Sequence, residues 1–139
     1  VLPGAARELE DMEKMVAAQG GDARVVADPA RLRVAADVAE VRSERSGFVT
    51  GIDALTVGLA GVAMGAGRTR ADQAVDPAVG IEIDRKPGDE VRAGDVVARV
   101  FVHARAAGTD LAARVAGAYE YGEAAPVALP LVVGRMTAS

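Results

Sequence analysis

His103 is the first residue to consider as a catalytic group, because it is the only histidine in this 139-residue chain. The ordinary pKa of histidine lies close to physiological pH, so its imidazole commonly serves as a general base or a metal ligand. His103 follows a run of Val and Phe, and no Ser, Cys or pair of carboxylates stands near it. One histidine cannot form a metal site by itself. We therefore expect His103 to cap the end of a strand.

A lysine could carry a covalent cofactor. Two Gly-Asp turns, Gly88-Asp89 and Gly94-Asp95, follow each other in a pattern typical of biotinyl and lipoyl carrier domains. Glycine supplies positive φ in such turns, and the aspartate side chain stabilises them. Carriers present their lysine on an exposed hairpin, whereas the lysines here are Lys14, in a predicted helix, and Lys86, at the base of the first turn. The pattern favours structural turns, and a biotinyl or lipoyl-like carrier is the alternative.

A glycine-rich stretch from Gly61 to Arg68 could cradle a phosphate, since backbone amides and arginine suit anions. A phosphate loop precedes its helix, however, and these glycines follow one, where carbonyl groups gather. Packing and termination of the helix are the favoured roles. Arg68 is then expected to bond the last carbonyls of the helix, or to pair with Asp72 or Asp76.

The remaining candidates do not converge on one place. Four acids are spread around the first predicted helix and indicate a solvated face, and two tyrosines near the end of the last helix indicate packing. These residues are Glu8, Glu10, Asp11, Glu13, Tyr119 and Tyr121. The sequence therefore predicts no catalytic, cofactor-binding or metal-binding residue.

Composition narrows the class of protein. With 16 basic and 20 acidic residues the net charge is −4, which does not favour binding to nucleic acid or to anionic lipid. Cysteine is absent, which excludes disulfides and thiolate chemistry. The longest uncharged run, Ala54 to Gly67, is too short for a membrane span, which needs about 20 apolar residues. No signal peptide is visible and the chain starts at Val1. We expect a cytoplasmic protein, and a piece excised from a longer one.

The pattern of elements predicts an α+β fold with a core of Val, Leu, Ile and Ala. Residues 1–36 are predicted to be a helical segment and linker, and residues 37–139 a separate domain. The central helix is apolar nearly all round, so we expect it to be enclosed on several sides, with Gly58 and Gly61 permitting close backbone approach. The predicted helices are Ala5 to Gln19, Asp22 to Val26, Ala54 to Met64 and Thr109 or Asp110 to Ala118; the predicted strands are Val38 to Arg42, Phe48 to Ile52, Val79 to Ile83, Val96 to Val102 and Leu131 to Met136.

Several short motifs follow one another along the chain: Met15 to Asp22, Asp28-Pro29, Ser46 to Thr50, Ile52 to Ala54, Gly65 to Arg68, Asp76 to Gly80, the two Gly-Asp turns and Val102 to Ala104. In this order they resemble the C-terminal domain of the pyrimidine-nucleoside phosphorylases, the thymidine phosphorylase family. The chain departs from the family at Arg105 to Ala107, where the family usually has a more polar stretch.

The resemblance implies an α/β-hammerhead domain built around a barrel-sandwich hybrid. It implies a parent enzyme that cleaves pyrimidine nucleosides with phosphate, a co-substrate, to give the free base and pentose 1-phosphate. The family's substrate-binding residues lie in upstream helical and α/β domains, so this chain alone is expected to be inactive and to hold no cofactor. Its expected partners are those missing domains, in a parent that is a homodimer. A stand-alone interaction module is a further alternative.

Overall fold

The computed structural model describes residues 5–32, 34–128, 130, 132 and 134–136. They form two compact units, one ending at Val34 and the other beginning at Ala35. The first unit is helical and the second combines helices with two sheets, so the predicted α+β class is confirmed.

The first unit consists of α1 (Ala5–Ala18), α2 (Arg24–Ala27) and a short 3-10 helix (Pro29–Arg31). Its polar centre is Asp22, whose carboxylate lies 2.8 Å from Arg24 and 3.2 Å from Arg31. These guanidinium groups, Arg24 above all, lower the pKa of Asp22 well below its usual range. Through these two ion pairs Asp22 contacts both α2, at Arg24, and the 3-10 helix, at Arg31.

The described residues of the second unit form two three-stranded antiparallel sheets. The first has the order β1-β5-β3 and the second the order β4-β2-β6. The elements in chain order are β1 (Asp37–Arg42), β2 (Gly47–Ile52), α3 (Ala54–Met64), β3 (Gly80–Ile83), β4 (Glu90–Val91), β5 (Val96–Val102), α4 (Arg105–Ala116) and β6 (Tyr119–Gly122).

The core of this unit is built from small branched side chains, as predicted. Strand β5 lies at the centre of the first sheet, between two neighbours, and most of its residues are buried. Helix α4 packs against β1 and β5, and so covers this sheet. The largest fully buried side chains are all valines: Val41, Val49, Val91, Val97, Val100 and Val115. β-branched residues suit such a sheet because they pack well on its pleated surface.

Helix α3 begins and ends where the sequence predicts. The Asp53 carboxylate accepts hydrogen bonds from the Thr56 hydroxyl at 2.6 Å and the Leu55 N–H at 3.0 Å. Both bonds favour the charged carboxylate, so the pKa of Asp53 lies below its ordinary value, chiefly through Thr56. At the other end Gly65 has φ of +101° and donates its N–H to the carbonyls of Gly61 and Val62. The predicted cap and stop are confirmed.

The last third of the chain differs from its prediction. Helix α4 begins at Arg105 instead of Thr109 or Asp110, and Tyr119–Gly122 forms a strand that the sequence pattern did not indicate. This strand pairs with β2, far away in sequence, so no local signal marks it. The predicted strand from Leu131 to Met136 lies partly outside the described residues, and its described positions, 132 and 134–136, are not in a strand.

Tyr119 joins the two sheets. It lies in β6, and its hydroxyl donates to the Val97 carbonyl of β5 at 2.8 Å, with the Arg85 carbonyl at 3.3 Å. Its ring stacks on that of Tyr121 with the centroids 6.1 Å apart. Burial raises the pKa of Tyr119 to about 12. The packing role predicted for the tyrosines is confirmed, and Tyr119 adds a polar link.

Candidate functional site

The first Gly-Asp turn is a closed structural unit. The Asp89 N–H donates to the Lys86 carbonyl at 3.0 Å, while the Asp89 carboxylate accepts the Lys86 N–H at 2.7 Å. Gly88 occupies the third position of the turn with φ of +103°, as a type II turn requires. Strand β2 holds the turn through Val49, which accepts from the Gly88 N–H at 2.8 Å and donates to the Asp89 carbonyl at 2.9 Å.

The second turn repeats this arrangement. The Asp95 N–H donates to the Arg92 carbonyl at 3.0 Å, and the Asp95 carboxylate accepts the Arg92 N–H at 2.9 Å. Gly94 has φ of +91°. Here the holding residue is the buried Ser43, which accepts from the Gly94 N–H and donates to the Asp95 carbonyl, both at 2.8 Å. Each turn is thus tied twice to another part of the unit, which makes both turns structural.

Neither lysine is presented on a free hairpin tip. Lys86 is the first residue of the first turn, with its backbone N–H bonded to the Asp89 carboxylate. Lys14 lies in α1, where its ammonium group pairs with Asp11 at 3.1 Å. The structure thus leaves both lysines where the sequence placed them.

His103 finds a partner that the sequence did not reveal. Its Nε2 lies 2.7 Å from the Asp76 carboxylate, whose other oxygen accepts the Ala78 N–H at 2.9 Å. The Ala78 bond, followed by His103, lowers the pKa of Asp76 below its ordinary value. The Asp76 N–H also donates to the Gly65 carbonyl at 2.9 Å. His103 therefore fastens the loop after α3 to the end of β5, and both side chains lie at the surface.

The stretch that could have cradled a phosphate terminates the helix instead. A Cβ on Gly67 would lie 2.8 Å from a Val62 methyl group, so this position needs glycine for packing. Arg68 reaches the Ala71 carbonyl at 3.5 Å, while Asp72 pairs with Arg70 at 3.1 Å. The partners predicted for Arg68 were therefore wrong, since its own loop folds back on it.

A groove of about 680 Å³ lies between β1 and α4. Two arginines line it, and carboxylates engage both. Arg42 pairs with Glu40, while Arg99 lies 2.7 Å from Asp84 and 3.5 Å from Glu82. Because the guanidinium charges are already balanced, the groove offers little attraction to a phosphate.

Helix α3 shows the most unusual surface of the second unit. The expectation that this helix is enclosed was wrong: of its residues only Ala60 is buried, and Leu55 and Leu59 are 69% and 52% exposed. A Cβ added at Gly58 or Gly61 would meet nothing within 4 Å, so the predicted close approach is not made by the residues that the structure describes. The apolar character that indicated burial is present, but the described residues supply no cover for this face.

The described residues contain no group of three or more His, Asp or Glu side chains able to hold a metal ion. Nor do their helices include one long and apolar enough to cross a bilayer. The features of this unit that stand out are its clamped turns and its exposed apolar helix.

Comparison with known proteins gives these features a context. Residues 48–122, from β2 to β6, match the family described as the pyrimidine nucleoside phosphorylase C-terminal domain. A thymidine phosphorylase of Mesorhizobium japonicum is 40% identical over 131 residues, covering 94% of this chain and 30% of that protein. A pyrimidine-nucleoside phosphorylase of Geobacillus stearothermophilus is 38% identical over 93 residues, covering 67% of this chain and 22% of that protein. A thymidine phosphorylase of Mycobacterium tuberculosis is 32% identical over 128 residues, covering 92% of this chain and 29% of that protein.

These matches define the class as a small α+β domain that is one part of larger proteins. The chain belongs to the pyrimidine nucleoside phosphorylase C-terminal domain family. It spans less than a third of the length of the curated relatives it matches, 30% for the first and 22% for the second. The family resemblance read from the sequence is confirmed.

Proposed function

We propose that this chain is the C-terminal, non-catalytic domain of an enzyme that cleaves pyrimidine nucleosides with phosphate, giving the free base and a pentose 1-phosphate. One observation carries the proposal: the match to a thymidine phosphorylase covers 94% of this chain but only 30% of that relative. The alignment therefore runs through the whole domain, and most of the relative lies beyond it.

The side chains support a structural role for the domain. Arg42 and Arg99 are engaged by carboxylates, and His103 fastens a loop to a strand. We assign substrate and phosphate binding to helical and α/β domains that precede this chain, in a homodimeric cytoplasmic enzyme. Residues 1–36 would then be the end of the preceding domain, and residues 37–139 the C-terminal domain. An absence of cysteine fits a cytoplasmic location.

We further propose that the second unit is an α/β-hammerhead around a barrel-sandwich hybrid. The paired turns support this assignment, because each follows the same hydrogen-bond scheme and each is clamped to a different segment, at Val49 and at Ser43. A fold made of two similar halves predicts such a repetition.

The test compares two proteins. The gene is read upstream of Val1, and the whole polypeptide and the 139-residue chain are purified and supplied with thymidine or uridine, with and without phosphate. We expect phosphate-dependent release of the base from the whole polypeptide and none from the chain alone. Base release by the chain at an enzymatic rate would contradict the non-catalytic role, and an inactive, folded whole polypeptide would contradict the assignment to this enzyme.

A further inference from the structure

Helix α3 carries an apolar face that ordinary surface helices lack. No charged residue occurs between Ala54 and Gly67, and the one polar side chain within the helix, Thr56, bonds back to Asp53. A surface helix normally presents charged or polar residues on the side away from the core. Here that side presents Leu55 and Leu59, both more than half exposed.

The spacing of the exposed residues suits close docking. Leu55 and Leu59 lie four positions apart and so stand one turn apart on the same face. Gly58 lies beside them with open space above its Cα, and Ala63 is exposed one turn beyond Leu59. Two large side chains beside small ones give a partner both apolar area and room for its backbone.

We propose that the α3 face, defined as Leu55, Gly58, Leu59 and Ala63, is covered in the whole polypeptide by the part of the enzyme that precedes this chain. This inference rests on the proposed function, since it takes the occupant from the same polypeptide. Because the match covers 30% of the Mesorhizobium relative, the other 70% supplies ample chain for the purpose.

The size of the face favours a tethered occupant over a second copy. A helix of 11 residues is only about 16 Å long, and a stable complex between separate proteins needs about 800 Å² from each partner. Free partners must also overcome the loss of translational and rotational freedom. A covalently linked domain meets the face at an effective concentration in the millimolar range, so a small apolar face suffices. The lack of charge also means that an apolar surface, not an ionic one, is the complement.

The test uses thiol labelling, because this chain has no cysteine of its own. Leu55→Cys and Leu59→Cys are prepared separately in the whole polypeptide and in the 139-residue chain, and labelling at each position is followed by peptide mass spectrometry. We expect fast labelling in the chain alone and labelling at least about tenfold slower in the whole polypeptide. A face that is docked in about 90% of the molecules leaves only about a tenth of them open to the reagent at any time, which gives this tenfold reduction in rate. Val127→Cys is the control, since Val127 is 93% exposed and should label at similar rates in both proteins.

The other outcomes are separable. Equal labelling of the α3 positions in both proteins would overturn the inference even if the whole polypeptide cleaves thymidine, so the proposed function would survive alone. Protection in a whole polypeptide without phosphorolysis would support the docking and contradict the enzyme. Slow labelling of the chain alone would also overturn the inference: if protection rises with concentration the occupant is a second copy, and if it does not, the cover comes from this chain itself.

Discussion

Glycine-to-alanine substitution should change stability in opposite directions at two places in the second unit. Gly94 lies in the second clamped turn with φ of +91°, whereas Gly58 lies within helix α3. A Cβ meets nothing within 4 Å at either position, so the steric environment is the same. The backbone conformation alone then decides the sign, and we expect Gly94→Ala to destabilise and Gly58→Ala to stabilise.

The magnitudes follow from backbone energetics. An L-residue in the left-handed region costs roughly 1–2 kcal/mol, and the stiffer unfolded chain returns about 0.4–1 kcal/mol, so Gly94→Ala should cost about 1 kcal/mol. Alanine in a helix interior is favoured over glycine by about 0.8–1 kcal/mol, so Gly58→Ala should gain nearly that much. The gap between the variants is about 2 kcal/mol, or on the order of 10 °C in Tm for a domain of about 100 residues.

Thermal and urea unfolding of the chain, followed by circular dichroism, measure both variants against the parent sequence. Gly88→Ala serves as a replicate, since Gly88 has φ of +103° and the same open surroundings as Gly94. An unfolding midpoint that is unchanged or raised by alanine at Gly94 and at Gly88 would refute the expected strain at positive φ. A Gly58→Ala variant whose midpoint falls as far as those of Gly94→Ala and Gly88→Ala would refute the expected difference between turn and helix.

Further substitutions test the polar contacts of Tyr119, Asp53 and Asp76. Tyr119→Phe should cost about 0.5–1.5 kcal/mol in urea unfolding, because it removes the buried hydrogen bond to the Val97 carbonyl while that carbonyl keeps the N–H groups of Asp84 and Arg85. Tyr121→Phe should cost less. Because the pKa of Tyr119 is raised to about 12, the contribution of Tyr119 to the free energy of unfolding should be complete below about pH 10 and should decline as the pH rises towards 12. Tyr119→Phe should remove that decline. Asp53→Ala should lower the Tm by a few degrees through loss of the α3 cap, whereas Asp53→Asn should retain most of it. Since the pKa of Asp76 is lowered, its carboxylate stabilises the fold above its ordinary pKa, and this stabilisation is lost as the pH falls. Asp76→Asn should therefore make the urea midpoint fall less steeply between about pH 5 and pH 3.

The features that the sequence predicted well depend on neighbours in the chain. The cap of α3 joins Asp53 to residues two and three positions later. Each Gly-Asp turn is closed by bonds between residues three positions apart. In such cases residue type and spacing contain nearly all the information, because the partners are fixed by the geometry of the backbone.

Features that depend on distant partners were missed. Strand β6 exists because it pairs with β2, with Tyr119 opposite Ile52. His103 meets Asp76 across 27 positions, a contact that only the folded chain reveals. Pairing between strands is decided by packing and burial more than by intrinsic preference, so a four-residue strand ending in glycine leaves little trace in the sequence.

The error over α3 has a different origin. The rule applied there, that a helix apolar on all sides is buried, is a statement about the whole folded polypeptide, not about the nearest 139 residues. Within the described chain Leu55 and Leu59 remain exposed, so the rule fails. If the α3 face is covered in the whole polypeptide as proposed, the same rule holds for the complete protein. A helix that is apolar on all sides then predicts that another part of the protein covers it. The structure of one domain shows which side of the helix that part must contact.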